Sequence, residues 1–124
     1  MNKKQLVDFL KDNAEVSFEA LYEDTQVRGN AQAIDPVSDK EVEDNILQRI
    51  NNGDLSAWFC AKVTASYKGF KWSDFLGCCS YNSIEEFTKE ERGYYTDMVH
   101  CAITGLADYI IESNKTLEEL DASI

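Results

Sequence analysis

Several things are scarce in this chain. One proline and six glycines among 124 residues force few breaks, so most of the chain is free to build regular elements. A single histidine, His100, removes most nucleophile–base and histidine-rich metal templates. There is no glycine-rich phosphate loop and no Cys-x-x-Cys pair. No uncharged apolar run approaches the roughly 18 residues a membrane span needs, so no membrane association is expected. No N-terminal segment joins a basic start, an apolar stretch and a small-residue cleavage site, so a cytoplasmic location is expected. Basic residues are scarce too: 12 Lys and Arg stand against 23 Asp and Glu, a net charge of −11.

Hydrophobic residues make up 44% of the chain and aromatics 11%, which excludes general disorder. At this length size scaling buries about two thirds of the extended surface, enough for one domain with a core. The charge is uneven. Residues 14–50 carry nine acids and three bases, and residues 83–124 carry ten acids and three bases, whereas residues 1–13 and 51–82 each sum to +1. Two acidic blocks therefore flank a nearly neutral centre. Such a chain repels phosphate backbones, so direct nucleic-acid binding is not expected. It is drawn to basic protein surfaces, in a way that salt weakens.

The four cysteines are Cys60, Cys78, Cys79 and Cys101. Adjacent residues of a strand point to opposite faces, so Cys78 and Cys79 do not readily ligate one ion. Without the short-spacing ligand pairs of zinc sites, the four read as buried thiols acting as small hydrophobes, and neither metal nor cofactor is expected.

Along the chain, residues 3–11 predict a helix with Asn2 and Gln5 as a capping pair. A second short helix is expected from Ser17 to about Glu23, and a loop over 24–37. Ser38-x-x-Glu41 reads as a capping box opening a helix with Val42, Ile46, Leu47 and Ile50 on one face, ended by Asn51-Asn52-Gly53. Residues 57–67 alternate as a strand, with Phe59, Ala61, Val63, Ala65 and Tyr67 on one face and Trp58, Cys60, Lys62, Thr64 and Ser66 on the other. Lys68-Gly69 reads as a two-residue hairpin turn, setting Tyr67 opposite Phe70, Ala65 opposite Trp72 and Val63 opposite Asp74. A third strand is sought in 24–34 or 54–58. A second capping box, Ser83-x-x-Glu86, starts a short helix that Gly93 interrupts. A long helix follows from about Tyr95 to Glu112, with a last short one from Thr116. The expected fold class is α+β: a small antiparallel hairpin-based sheet packed against several helices, with a long C-terminal helix. It forms one domain, with N-terminal helices over 1–24, a helix-hairpin-helix-helix core over 38–112 and a fraying tail over 113–124.

Six residues stand out as candidates for binding a ligand or partner: Arg28, Trp58, Asp74, Tyr94, Tyr95 and Asp97. Asp74 falls beside an apolar face, where a carboxylate needs a partner such as Arg28 or a tyrosine hydroxyl, or a bulge that turns it to solvent. Tyr94 and Tyr95 cannot both point into a core, so one is exposed. The alternation puts Trp72 on the buried face and Trp58 on the other, where an exposed Trp58 marks a binding surface unless helices cover both faces. No catalytic set emerges, which points away from an enzyme.

One set of motifs is familiar. It comprises Arg28-Gly29-Asn30-Ala31, Asn52-Gly53-Asp54 followed by Trp58, Val63-Thr64-Ala65, Gly69-Phe70, Asp74-x-Leu76-Gly77-x-Cys79-Ser80-Tyr81, Phe87 and Gly93-Tyr94-Tyr95-x-Asp97-Met98. Together, over residues 27–107, they resemble a family of small acidic proteins carried by bacteriophages, plasmids and other mobile elements. That family has no established activity, so the resemblance implies a setting and not a mechanism. The chain departs from the pattern at Phe59 and at Lys71-Trp72.

Three functions follow as expectations. The first is a non-enzymatic interaction protein that binds a basic protein surface, in its sharpest form an inhibitor that mimics nucleic acid. The second is a small ligand-binding module or enzyme with a pocket around Asp74, Arg28 and the Tyr94-Tyr95 segment. The third is a homo-oligomer joined through exposed aromatic residues.

Overall fold

The first helix, α1 (Lys3–Asn13), begins where the sequence sets its cap. The Asn2 side chain accepts from the Gln5 N–H, and the Gln5 side chain accepts from the Asn2 N–H, both at 2.8 Å. Two of the helix's unpaired donors are thereby satisfied reciprocally. The structure, a computed structural model, describes residues 1–31, 36–89 and 93–123. Among them are four α-helices and three strands, and the strands form an antiparallel sheet in the order β1-β2-β3 packed against helices. The fold is α+β with a long C-terminal helix, as the sequence leads one to expect.

The next element departs from expectation. Residues 15–21 form strand β1 (Glu15–Leu21), not the start of a second N-terminal helix over Ser17–Glu23. Phe18 and Ala20 turn inward while Ser17 and Glu19 stay exposed, a period of two. An isolated helix this short is marginal in water, whereas pairing with β2 satisfies the strand's backbone groups on that side. This is the third strand, and it comes from neither 24–34 nor 54–58.

Helix α2 (Pro36–Asn51) opens two residues before Ser38, so Ser38 lies inside it and is not its cap. Proline is favoured at a first helical position because its missing N–H has no intrahelical acceptor there. Gly53, at φ 81, ends the segment as expected, with its N–H on the Ile50 carbonyl at 2.9 Å. Leu55–Ala57 is a single 3-10 turn capped by the Asp54 carboxylate.

Strands β2 (Phe59–Tyr67) and β3 (Phe70–Cys79) make the hairpin. Lys68 at φ 51 and Gly69 at φ 87 are both left-handed, the geometry of a type I′ turn whose twist matches the strands. The Thr64 and Ser73 hydroxyls meet at 2.7 Å, and the Lys62 ammonium lies 5.8 Å from the centre of the Phe75 ring. Both contacts belong to the register that sets Tyr67 opposite Phe70. Phe59, Ala61, Val63 and Ala65 are buried, and the alternate residues are only partly so. At the far end Cys78 turns left-handed at φ 57 and breaks the strand's pleat.

Helix α3 (Ile84–Lys89) starts at its expected cap, with the Glu86 N–H on the Ser83 hydroxyl at 3.1 Å. Helix α4 (Tyr94–Ser123) then runs unbroken for 30 residues. A separate short helix is expected from Thr116; instead α4 continues unbroken past it to Ser123. No glycine or proline follows Gly105, and the Thr116 hydroxyl bonds back to the Glu112 carbonyl at 3.0 Å, as a residue inside a helix does.

The chain divides into two compact units. The first comprises Met1–Ser17, Val63–Asp74 and Asp97–Ile124. Its core joins Leu10, Val63, Ala65, Met98, Ala102, Ile103 and Leu106, all buried. Phe9 meets Tyr67 edge-on at 5.4 Å. Trp72 lies against α4 on the face the register predicts, but it remains 44% exposed because β3 is an edge strand. A Cβ at Gly105 would stand 2.1 Å from the Trp72 indole nitrogen, so glycine is what lets the ring lie on the helix.

The second unit comprises Phe18–Lys62 and Phe75–Thr96. Phe87 is fully buried at its centre, with the rings of Phe18, Phe59, Tyr81 and Tyr95 at 5.5, 5.7, 4.9 and 6.1 Å. Beside this aromatic cluster, Val27, Ala31, Ile46, Ala57 and Trp58 pack as a second one.

Candidate functional site

The second unit holds a cleft of about 480 Å³. Val42 and Ile46 of α2 form one wall, and Leu76 to Cys79 at the end of β3 form another. Trp58, Tyr81 and Tyr94 supply aromatic surface, while Asn30 and Ser80 supply polar atoms. None of the described residues that line it is charged, although this unit holds 13 of the 23 acids and six of the 12 bases, a net of −7.

Two buttresses hold the cleft in shape. The first is centred on Arg49, in the last turn of α2. Its Nε donates to Asp54 at 2.9 Å, and its Nη2 donates to the Ser56 hydroxyl at 3.2 Å and the Tyr81 carbonyl at 2.5 Å. The Ser56 hydroxyl donates to Asp54 at 2.6 Å, and the Tyr81 N–H donates to the Ser56 carbonyl at 2.9 Å. The Ser56 hydroxyl and then the Arg49 guanidinium hold the Asp54 carboxyl below the usual carboxylate range. The network fastens the backbone of Tyr81 and so places its ring.

The second buttress is Glu23. Its carboxylate accepts from the Cys78 N–H. Gly77 makes room for it, since a Cβ there would lie 2.7 Å from a Glu23 oxygen. The anchored carboxylate satisfies the backbone where Cys78 leaves the pleat.

Of the candidates read from the sequence, Trp58 and Tyr94 line the cleft, and Arg28 and Tyr95 belong to the same unit. Tyr94 is 61% exposed and lines the cleft, while Tyr95 turns inward against Phe18 and Phe87. One tyrosine in and one out is what their adjacency requires. Trp58 is 8% exposed, and its indole N–H donates to the Thr25 carbonyl at 2.7 Å. It is a buried wall of the cleft and not an open binding surface, because it follows the 3-10 turn and packs on Val27 and Ile46. Arg28 is not among the described residues that line the cleft. Its guanidinium holds Glu43 at 3.2 Å and Asp44 at 2.5 Å, and the Gly29 N–H donates to Glu43 at 2.6 Å. The hydrogen bonds to Asp44 and Glu43 raise its pKa further. Asp74, half-buried, and Asp97, exposed in the first turn of α4, both belong to the first unit.

Sequence reasoning missed Glu23 and the Arg49–Asp54–Ser56 network. A local signal existed for the latter, since Asp-x-Ser after a helix end is turn and capping chemistry. No local signal marked Glu23, whose partner lies 55 residues away.

Cys60, Cys78 and Cys79 are not poised as nucleophiles. Burial pushes Cys79 up to about 11, and burial also raises Cys60 and Cys78, the latter with help from Glu23. Cys101 is exposed on α4. Among the described residues, no group of three or more His, Cys, Asp or Glu is placed to hold a metal ion. No helix among them is long and apolar enough to cross a membrane.

Comparison with protein-family models, with curated proteins and with solved structures finds no match to this chain. The resemblance drawn from its motifs stands on those motifs alone.

Proposed function

We propose that this protein is a non-enzymatic acidic interaction protein that binds a basic protein surface through its second unit. The observation that carries the reading is how that unit disposes of its charge. Its two described arginines are consumed internally: Arg28 lies between Glu43 and Asp44, and Arg49 on Asp54. Lys89 pairs with Glu85. Glu19, Asp24, Glu41 and Glu86 are left exposed in a unit of net −7. Uncompensated carboxylates steer a cationic partner and repel an anionic one. The mobile-element setting fits an inhibitor that occupies a basic nucleic-acid-binding groove. The test is capture of partners from a bacterial lysate on the tagged protein at low and then high salt. A basic nucleic-acid-binding protein held at low salt, released at high salt and displaced by duplex DNA is expected. No salt-sensitive partner, or one that DNA leaves in place, contradicts the mimic.

A second reading, a ligand-binding module, is favoured by the cleft itself. Its volume suits a small molecule, and the described residues that line it are uncharged, which favours a neutral one. A thermal-shift screen of neutral aromatic compounds, with Tyr94→Ala as the control that loses the shift, tests it.

A further inference from the structure

Helix α4 carries its apolar spacing beyond the part that fills the core of the first unit. Ile103 and Leu106 are buried there. The same alternation of three- and four-residue steps continues through Ile110, Ser113, Leu117 and Leu120, the a and d positions of consecutive heptads. Leu117 is 57% exposed and Leu120 58%. Every residue from Asn114 to Ser123 is exposed. The stretch from Ile110 to Leu120 is a seam of about 16 Å at 1.5 Å per residue. A groove of about 590 Å³ opens beside it, lined by Met1, Leu6, Phe70, Ile110 and Leu117 among others.

The charges along the seam select its occupant. The flanking e and g positions are Asn114, Thr116, Asp121 and Ser123, of which one is charged. Glu112, Lys115, Glu118 and Glu119 fall at b, c and f, away from the seam. A basic amphipathic helix would need acids at e and g to answer its own charges. A second copy of this helix meets flanks that are neutral except at Asp121, and the carboxylates of Glu112, Glu118 and Glu119 stay on the outside.

The geometry points to a homodimer formed through α4, in which two copies pair their Ile110–Leu120 seams and Leu117 of each enters the other's apolar groove. The small polar Ser113 at a d position leaves this seam underfilled and the association reversible. The inference stands apart from the acidic-partner reading, because the seam lies in the first unit and the exposed carboxylates invoked there lie in the second.

Sedimentation equilibrium tests it. The full chain should move with concentration from 14.1 kDa towards twice that mass. Leu117→Glu should weaken association about tenfold or more, the scale of losing a central hydrophobic anchor, with helix content unchanged by circular dichroism. Ser113→Leu should tighten the dimer by filling the d position. Glu119→Gln, on the far side, should leave association unchanged. A chain that stays monomeric at the highest concentration attainable overturns the proposal. So does a dimer that Leu117→Glu and Ser113→Leu both leave unmoved.

Discussion

Asp54 shows how much one side chain can be asked to hold. It caps the 3-10 turn, accepts from Ser56 and Arg49, and through them fixes the backbone of Tyr81. Its carboxyl is held below the ordinary range, so the sign of its pH dependence follows. A depressed folded-state pKa contributes stability that is fully present above the unfolded value of about 3.9, and that is lost as pH falls through the folded value. Asp54→Asn should therefore lower Tm at neutral pH, and the gap from the parent should close as pH drops below about 4. A gap that persists unchanged at low pH would show that shape, not charge, is what Asp54 supplies. At Gly105 the opposing terms can be separated. Alanine there gains about 1 kcal/mol of helix propensity but collides with Trp72, and overpacking costs about 1–3 kcal/mol. Gly105→Ala should cost about 1 kcal/mol alone and gain about 1 kcal/mol in a Trp72→Ala background. Equal effects in both backgrounds in denaturant titrations would contradict the contact. For the thiols, alkylation at neutral pH should modify exposed Cys101 well before Cys79, whose pKa of about 11 keeps it protonated.

At the scale of elements, α3 is the case where packing outweighs propensity. Its described part is six residues, too few to hold a helix unaided. The fully buried Phe87 ring, surrounded by four others, is what anchors it. Phe87→Ala should cost about 3–5 kcal/mol of stability in chemical denaturation, and a loss under 1 kcal/mol would show that the cluster is not the core of the second unit. Elements specified by neighbours in sequence were legible beforehand: the α1 capping box, the Gly53 stop, the Ser83 cap and the hairpin set by Lys68-Gly69. Two elements were not. Over Glu15–Leu21 the exposed acids suit a helix face as well as a strand face, and pairing with β2, a long-range event, decides between them. At the C-terminal end of α4, Ser113, Asn114 and Thr116 read as a break, yet weak helix formers without a glycine or proline are carried along by the helix already in place. The site shows the same division. That one of Tyr94 and Tyr95 must be exposed follows from adjacency. The burial of Trp58 does not, because it depends on Thr25, Val27 and Ile46, brought to it from 33, 31 and 12 residues away.

For the whole molecule the governing quantity is charge. A net −11 on 124 residues opposes folding through self-repulsion. Moderate sodium chloride should accordingly raise Tm by screening it, over the range in which the Debye length falls from about 30 Å to about 8 Å. A flat or falling Tm would mean that the ion pairs of Arg28 and Arg49, which salt weakens, outweigh the repulsion. The same excess of carboxylates is what the proposed function uses. The most direct measurement sets capture by the parent protein beside capture by the variant Asp24→Asn/Glu41→Gln/Glu86→Gln, at one low salt concentration with mass-spectrometric identification. These three side chains are exposed in the second unit and form none of the ion pairs among its described residues. The account predicts a basic partner retained by the parent and depleted on the variant, with the variant no less stable to heat than the parent. An identical set of partners on both, or partners on the parent that are not basic, would contradict it.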